Sequence, residues 1–194
     1  MQELSIYIPK EAATQINTWL NTYNCQLKIK KPRQTKLGDY RCPQNGKGHI
    51  ISINNNLNPY AFLITLTHEI AHMMVWEKHH NKVLPHGSEW KEMFQKLMLN
   101  FLPLFPKDVL TPLAKHLKNP KASSSQDVAL TTALRTYNSV QITTIADIPL
   151  GNSFSISNGQ RFIKLKKLRK RYQCKAEHNN RLYLFSPLAE VKRV

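Results

Sequence analysis

The residues with the clearest capacity for chemistry lie at positions 68–72, in the order His-Glu-Ile-Ala-His. On an α-helix, residues four apart lie about 40° apart around the axis, so His68 and His72 can bind one ion from the same face. Glu69 lies beside that face, where its carboxylate can reach a water at the ion rather than the ion itself. A zinc ion lowers the pKa of such a water to about 7, and the carboxylate can accept the proton during attack on a carbonyl. The spacing therefore indicates a zinc hydrolase.

The segments on both sides of these residues predict a buried helix. Apolar residues at 62, 63, 66, 70, 73 and 74 follow helical spacing, and Asn58-Pro59 is a suitable helix start. The alternative is that His68 and His72 are merely polar residues on a half-buried helix. A helix this apolar would leave their ring nitrogens without partners unless a ligand were bound, so we expect a metal site.

A catalytic zinc ion usually takes three protein ligands and leaves a fourth position for water. The pattern in which a glycine and then a third histidine follow within six residues is absent, because Val75 and Lys78 occupy those positions. The downstream candidates for the third ligand are His79, His80, His86, Glu89 and Glu92. We expect His79 and His80 to be solvated, because the chain has not yet turned back toward the ion at the end of the motif helix.

His86 precedes a second predicted helix over 89–101, whose apolar positions form an amphipathic stripe. An antiparallel return of this helix would bring His86 near the metal face of the first helix. Glu89 is the rival, since a carboxylate can also bind zinc. Glu92 is a weaker rival and is more simply explained as an exposed charge.

One known family shares these residues in this order. The matching segments are His-Glu-Ile-Ala-His at 68–72, Val-Trp at 75–76, and Pro-His-Gly-Ser-Glu-Trp-Lys at 85–91. They resemble the SprT-like family of zinc metallopeptidases, which includes the Spartan proteases. The similarity covers about residues 1–102 in the order of elements and is sharpest over 68–91.

This resemblance implies a small zincin-like domain in which Zn²⁺ is held by His68, His72 and His86, with Glu69 as the catalytic base. It favours His86 over Glu89, because the family takes its third ligand from a His-Gly-x-x-aromatic segment. It also implies a protein or peptide substrate, and the family activity described best is cleavage of proteins bound or crosslinked to DNA. For the oxyanion, Tyr40 and Tyr60 are both candidates.

Net charge is the second functional signal. The chain has a formal charge of +16; residues 1–126 and 127–194 contribute equally, so the shorter second part is almost twice as dense in charge. Such clustering is typical of a surface that binds a polyanion, although a merely solvated basic face is the alternative. We predict single-stranded or crosslinked DNA as a partner, bound by Arg161, Lys164, Lys166, Lys167, Arg169, Lys170, Arg171 and Lys175.

The fold class predicted for the chain is α+β. A helix over 9–23 is followed by strands over 25–31, 36–42 and 49–54, and then by the motif helix and the second helix. An extended peptide can add to an exposed sheet edge through main-chain hydrogen bonds. From the order of elements alone, we expect 49–54 to be that edge beside the zinc cleft.

The predicted domains are an SprT-like metallopeptidase domain at 1–120, a Ser-rich linker at 121–130 and a basic, β-rich C-terminal domain at 131–194. In the last, Asn158-Gly159 and Asn179-Asn180 predict hairpin turns. Many SprT-like proteins carry a zinc ribbon at this position. Cys174 is the sole cysteine here, so we expect a degenerate ribbon in which packing replaces the metal.

The aromatic residues of this domain, Phe162, Tyr172 and Tyr183, are candidates either for base stacking or for the core. The chain shows neither a secretory signal nor a stretch of about 20 apolar residues, and its three cysteines are widely spaced. We therefore expect a cytoplasmic zinc metalloendopeptidase with no membrane partner. The alternative is a non-catalytic nucleic-acid-binding protein with a structural zinc site.

Overall fold

The computed structural model describes residues 4–33, 35–44, 46–122 and 127–194. The chain forms two compact units, Met1–Ser139 and Val140–Val194. The sequence places the linker at 121–130, of which 123–126 lie outside the described residues. Each unit has its own secondary structure and its own apolar core.

The first unit has the predicted order of helix, three strands, motif helix and second helix, followed by two more helices. Its elements are α1 (Lys10–Thr22), β1 (Gln26–Lys30), β2 (Gly38–Arg41), β3 (Ile50–Asn54), α2 (Pro59–His79), α3 (Ser88–Leu99), α4 (Lys107–Lys118) and α5 (Val128–Arg135). Short 3-10 turns lie at Leu4–Ile6, His80–Lys82 and Leu102–Leu104.

The three strands form one sheet in the order β1-β3-β2, with β3 parallel to β1 and antiparallel to β2. The expectation that 49–54 is an edge strand is therefore wrong, because β3 is central. Its burial agrees with this: Ile51 and Ile53 on one face and Ser52 and Asn54 on the other are all buried, as in a strand covered on both faces. The edge nearest α2 belongs to β2 instead.

Two buried polar residues of β3 fix the loop that leads into β2. Arg33 donates from Nε to Asn54 Oδ1 (2.8 Å) and from Nη1 to Ser52 Oγ (3.0 Å). Asn54 in turn donates from Nδ2 to the carbonyl of Lys36 (2.9 Å). Because these groups satisfy one another, they can be buried at little cost, and they set where β2 begins.

Helix α2 begins as the sequence predicts. Asn58 is the N-cap, and its side chain accepts a hydrogen bond from the Ala61 backbone N–H (3.0 Å), while Pro59 occupies the first helical position. The Asn58 amide also donates to the carbonyl of Leu134 (2.8 Å), which ties the start of α2 to α5. The helix is buried on nearly all sides, so its position is strongly constrained.

Helix α5 extends the first unit beyond the predicted domain boundary. Leu130 and Leu134 are buried in the core of this unit, and Asp127 caps the helix by accepting from the Leu130 backbone N–H (3.2 Å). Residues 131–139 therefore pack with the first unit, whereas the sequence assigns them to the β-rich domain. Two buried leucines four residues apart account for the difference.

The second unit is an antiparallel sheet in the order β7-β6-β5-β4-β8. Its strands are β4 (Ser153–Ser155), β5 (Arg161–Lys167), β6 (Tyr172–Ala176), β7 (Leu182–Phe185) and β8 (Lys192–Arg193). Gly159 and Asn180 adopt positive φ angles of 85° and 58° in the two turns that the sequence predicts. In the described parts of the chain, no helix has the length and apolarity that a membrane span requires.

Candidate metal centre

Three imidazoles converge in the first unit. The Nε2 atom of His72 lies 3.2 Å from that of His68 and 3.0 Å from that of His86, and His86 lies 3.3 Å from His68. Nitrogen ligands at about 2.0–2.1 Å from a tetrahedral zinc ion are roughly 3.3 Å apart. The donor atoms are thus spaced as one shared ion requires, and these residues fit the implied metal.

The backbone explains how His86 reaches the face of α2 that carries the other two histidines. A turn closed by the Gly87 N–H on the carbonyl of Leu84 (3.0 Å) reverses the chain just before α3. Trp90, fully buried on the first turn of α3, packs against all three imidazoles at centroid distances of 4.5–5.3 Å. Packing from α3 therefore orients all three rings.

The rival ligands do not join this group. Among the described residues, the cluster able to hold a metal ion contains only the three histidines. Glu89 accepts a hydrogen bond from the Ser88 hydroxyl (3.2 Å), and Glu92 is exposed. His79 lies at the end of α2, and His80 packs its ring on Trp76 instead.

Burial keeps the three imidazoles neutral. It lowers the pKa of His68 to about 2 and that of His72 to about 3, with a further contribution from the neighbouring histidines, and it also lowers the pKa of His86. A neutral imidazole offers the lone pair that a metal needs. At neutral pH the three imidazoles can therefore bind a cation without first losing protons.

Glu69 lies on the same helix, buried to 7% exposure and in close contact with β2. Burial, and secondarily the charge of Asp39, raises its pKa to about 8, while the charges of Arg33 and Lys36 oppose this shift. A Cβ at Gly38 would lie 2.5 Å from Glu69 Oε1, so a larger residue at this position of β2 would have to displace the Glu69 side chain. Sequence reasoning missed Gly38 because its role depends on contact with Glu69, a helix residue 31 positions away in the chain.

Tyr40 adjoins the centre and is hydrogen-bonded to His49 and through it to Glu77, a connection that sequence reasoning missed. Burial raises the pKa of Tyr40, so its hydroxyl stays protonated and donates to Nδ1 of His49 (2.9 Å). Nε2 of His49 then donates to Glu77 (2.8 Å), and the Tyr40 ring lies parallel to that of His72, 6.5 Å away. The other tyrosine considered for the oxyanion, Tyr60, packs against Phe105 and Tyr137 instead.

The cleft above the histidines has a volume of about 370 Å³. Its walls are Gly38, Asp39, Tyr40, His68, Glu69, His72, Pro85, His86 and Ala122. A metal-ligand set, a carboxylate and a strand edge thus border one open space. Such an arrangement can hold an extended chain against an ion and a general base.

In the second unit, Lys164 differs from the other predicted DNA-binding residues and corrects that prediction. It is only 3% exposed, and its ammonium donates to the carbonyls of Ile145 (2.7 Å) and Ile148 and lies 3.8 Å from the centre of the Tyr172 ring. These contacts occupy the charge inside the unit, so Lys164 is unavailable to a phosphate. The inward position of Lys164 could not be predicted, because the basic residues of β5 do not show in sequence which of them face the core of the unit.

Most of the remaining basic residues surround the β5–β6 turn, which is closed by the Leu168 N–H on the carbonyl of Arg171 (2.7 Å). The exposed ones are Arg161, Lys166, Lys167, Arg169, Lys170 and Arg171, and Lys175 is half-buried. Arg161 is within 3.8 Å of Glu177. Phe162 is core rather than surface, at 2% exposure, whereas Tyr183 is 40% exposed.

Comparisons with known proteins find a family match within the first unit. Protein SprT of Escherichia coli O139:H28 (strain E24377A / ETEC) and Protein SprT of Shigella dysenteriae serotype 1 (strain Sd197) are each 29% identical to the chain over 103 residues. The match covers 49% of this chain and 62% of each relative, so it spans less than two thirds of their length. No solved structure gives a significant match. The profile of the SprT-like family matches residues 10–109, and the chain belongs to that family.

Proposed function

We propose that the protein is a zinc-dependent endopeptidase with a zincin-like catalytic domain, in which His68, His72 and His86 hold the ion and Glu69 is the general base. The observation that carries this proposal is the convergence of three neutral imidazoles beside a buried carboxylate. When bound, zinc supplies a Lewis acid that polarises a carbonyl and makes water more acidic. Three protein ligands leave one position open, as a catalytic site needs.

The side chains of the cleft would have separate roles in the reaction. Glu69 accepts a proton from the attacking water and delivers it to the leaving amine, a shuttle that contributes roughly 10²–10⁴-fold in comparable sites. Trp90 keeps the imidazoles oriented. Tyr40, held by His49, forms the wall beside His72.

Strand β2 would bind the substrate backbone. In the part of the chain that the structure describes, β2 pairs only with β3, so its outer edge faces the cleft. An extended peptide could add there through main-chain hydrogen bonds, a role that the sequence analysis expected for 49–54. This favours extended, locally unfolded protein segments as substrates.

DNA is the second proposed partner, through the exposed cations around the β5–β6 turn. Supporting it, the second unit carries eleven Lys or Arg against three Asp or Glu. Phosphate contacts would hold the enzyme near proteins that are bound or crosslinked to DNA, with strong salt dependence. A degenerate zinc ribbon is also proposed for this unit, since its sole cysteine, Cys174, is buried in the apolar core. A cytoplasmic location stays a proposal as well.

A proteolysis assay on the zinc-loaded full chain tests the function. Wild type and Glu69→Gln are compared on a DNA-binding protein substrate, with and without single-stranded DNA, and zinc is measured in both. We expect cleavage by wild type, stimulation by DNA, and at least a 100-fold loss in Glu69→Gln with zinc retained.

Two results would contradict the proposal. Zinc-loaded wild type that cleaves nothing under any DNA condition removes the peptidase. A Glu69→Gln protein with full biological activity supports the alternative, a nucleic-acid-binding protein whose zinc is structural.

A further inference from the structure

A second cavity adjoins the metal cleft. It has a volume of about 390 Å³ and shares Tyr40, His72 and Pro85 with the cleft. That volume lies at the lower end of the roughly 300–1,000 Å³ typical of ligand pockets, so the space suits one or two side chains rather than a large cofactor. The cavity is therefore a continuation of the cleft, not a separate site.

Half of the residues that line it are apolar or aromatic. The ring of Tyr40 and the side chains of Val75, Trp76, Val83 and Leu84 line it. Polar residues complete the lining: Arg41, Cys42, Gln44, His80 and Asn81. Leu84 is 75% exposed, so a large apolar side chain stands open to water at this wall. An apolar occupant would remove that surface from water at about 25 cal/mol per Å².

The backbone at the wall is strained. His80 has φ 50° and ψ −133°, a combination that L residues rarely adopt. Its ring packs edge-on against Trp76 at a centroid distance of 4.7 Å. Strain of this kind costs on the order of 1–3 kcal/mol and persists where the surroundings enforce it, often at binding sites. Here it turns the chain at the end of α2 into the loop that forms the far wall.

Strand β2 connects the two spaces. Gly38 lies against Glu69 in the cleft, while Arg41, at the other end of the strand, and Cys42, which follows it, line the cavity. Residues along a strand are about 3.3 Å apart. A peptide paired with the outer edge of β2 would therefore pass from the general base to the cavity within two or three residues.

We infer that this cavity receives an aromatic or large aliphatic side chain of the substrate, from a residue within about two positions of the cleaved bond. The inference rests on the proposed peptidase function and adds a sequence preference to it. Continuity with the cleft, the apolar half of the wall and the direction of β2 identify the occupant as a side chain of the bound peptide.

Two measurements test the inference, and the first needs no hydrolysis. N-acetylphenylalaninamide and N-acetylalaninamide are titrated into the zinc-loaded full chain, in which the Val and Leu methyl groups are isotopically labelled for NMR. We expect saturable shifts of the Val75, Val83 and Leu84 methyls with the phenylalanine probe and none with the alanine probe. The methyls of Leu99, an exposed residue of α3, are the internal control.

The second measurement maps cleavage sites in a peptide library by mass spectrometry. Wild type should enrich Phe, Tyr, Leu or Met at least fivefold at one position near the cleaved bond. Val83→Phe, which fills the cavity, should shift that position toward small residues and leave the others unchanged. Leu99→Phe adds the same bulk to a site outside the cavity and should keep the wild-type profile.

The outcomes separate the two proposals. Library cleavage without an apolar preference overturns the cavity assignment and leaves the peptidase intact. Methyl shifts without any cleavage overturn the peptidase and retain an apolar ligand site. Absent or non-saturable shifts of the three cavity methyls overturn the assignment whatever the cleavage result.

Discussion

In the proposed function, the metal cleft of the first unit and the basic turn of the second unit would act in different ways. In the cleft, three imidazole nitrogens lie within 3.3 Å of one another, and every functional side chain has a fixed neighbour. Around the β5–β6 turn, the cations are exposed and differ little in their surroundings. A site built on geometry should fail when one residue changes, whereas a site built on charge should weaken in proportion to the charge removed.

The largest expected effect is in the cleft. His86→Ala removes one of three ligands, and we expect zinc affinity to fall by more than about 100-fold, since loss of a supporting partner outside the ligand shell alone costs roughly 10–100-fold. Competition with a chromophoric chelator measures this. His79→Ala, a histidine outside the cluster, is the matched control and should bind zinc as wild type does.

Gly38→Ala should produce the next largest effect, and it separates geometry from ligand count. The added Cβ would lie 2.5 Å from Glu69 Oε1 and 2.9 Å from Thr65 Cγ2, so the carboxylate must move. A displacement of about 1 Å at a reacting group can cost about 100-fold in rate. We expect kcat to fall by roughly 10–100-fold while zinc content stays at one per chain. Unchanged kcat would show that β2 does not set the position of Glu69.

The basic turn should respond gradually. The triple variant Lys166→Gln, Lys167→Gln, Lys170→Gln should weaken binding to single-stranded DNA about tenfold and reduce the slope of log K against log salt by about two. Fluorescence anisotropy across a salt series measures both. The triple variant Lys78→Gln, Lys82→Gln, Lys96→Gln removes equal charge from exposed sites of the first unit, and equal losses in the two proteins would refute a specific DNA surface.

Lys164, in the same strand as Lys166 and Lys167, should affect stability rather than DNA affinity. Because its ammonium is bound to backbone carbonyls inside the unit, Lys164→Gln should lower the free energy of unfolding by about 1–3 kcal/mol. DNA affinity of the folded protein should change less than twofold. Urea denaturation and anisotropy distinguish this outcome from a phosphate contact, which would show the opposite pattern.

The last prediction, with the smallest consequence for function, concerns how the stability of the metal-free protein depends on pH. The pKa of Glu69 is raised to about 8 from its ordinary value of 4.5, so the folded state favours the protonated carboxyl. Its stabilising contribution is present at acid pH and is lost as pH rises through 8. Glu69→Gln should therefore gain on the order of 4 kcal/mol relative to wild type between pH 4.5 and pH 8.5, since most of a shift of about 3.5 pKa units falls in this range and one unit corresponds to about 1.4 kcal/mol. Urea denaturation in chelator at both pH values measures the difference, and a constant difference would contradict the burial of this charge.

The two units also differ in how far their sequences could be interpreted. The sequence predicted the order of helices and strands through α3, the start of α2 and both C-terminal turns, because periodicity, caps and Asn-Gly pairs are local signals. The grouping of His86 with His68 and His72 depended on family resemblance, since spacing alone left Glu89 open. Helix α5 was missed because its two buried leucines mean little without knowledge of what covers them.

Features that depend on tertiary contacts were beyond sequence reasoning. The central place of β3 follows from its pairing on both sides, although its three isoleucines were a usable hint. The chain of Tyr40, His49 and Glu77 joins residues up to 37 positions apart through single hydrogen bonds. Lys164 points inward because of the pleat of β5, which a basic sequence does not reveal.

Zinc K-edge X-ray absorption spectroscopy on the purified full chain tests the central claim most directly. The account predicts one zinc per chain with three imidazole nitrogens at about 2.0–2.1 Å and a light oxygen donor in the fourth position. His86→Ala should lose one imidazole from that shell. A sulfur ligand at about 2.3 Å, four protein ligands, or a wild-type spectrum unchanged by His86→Ala would contradict it.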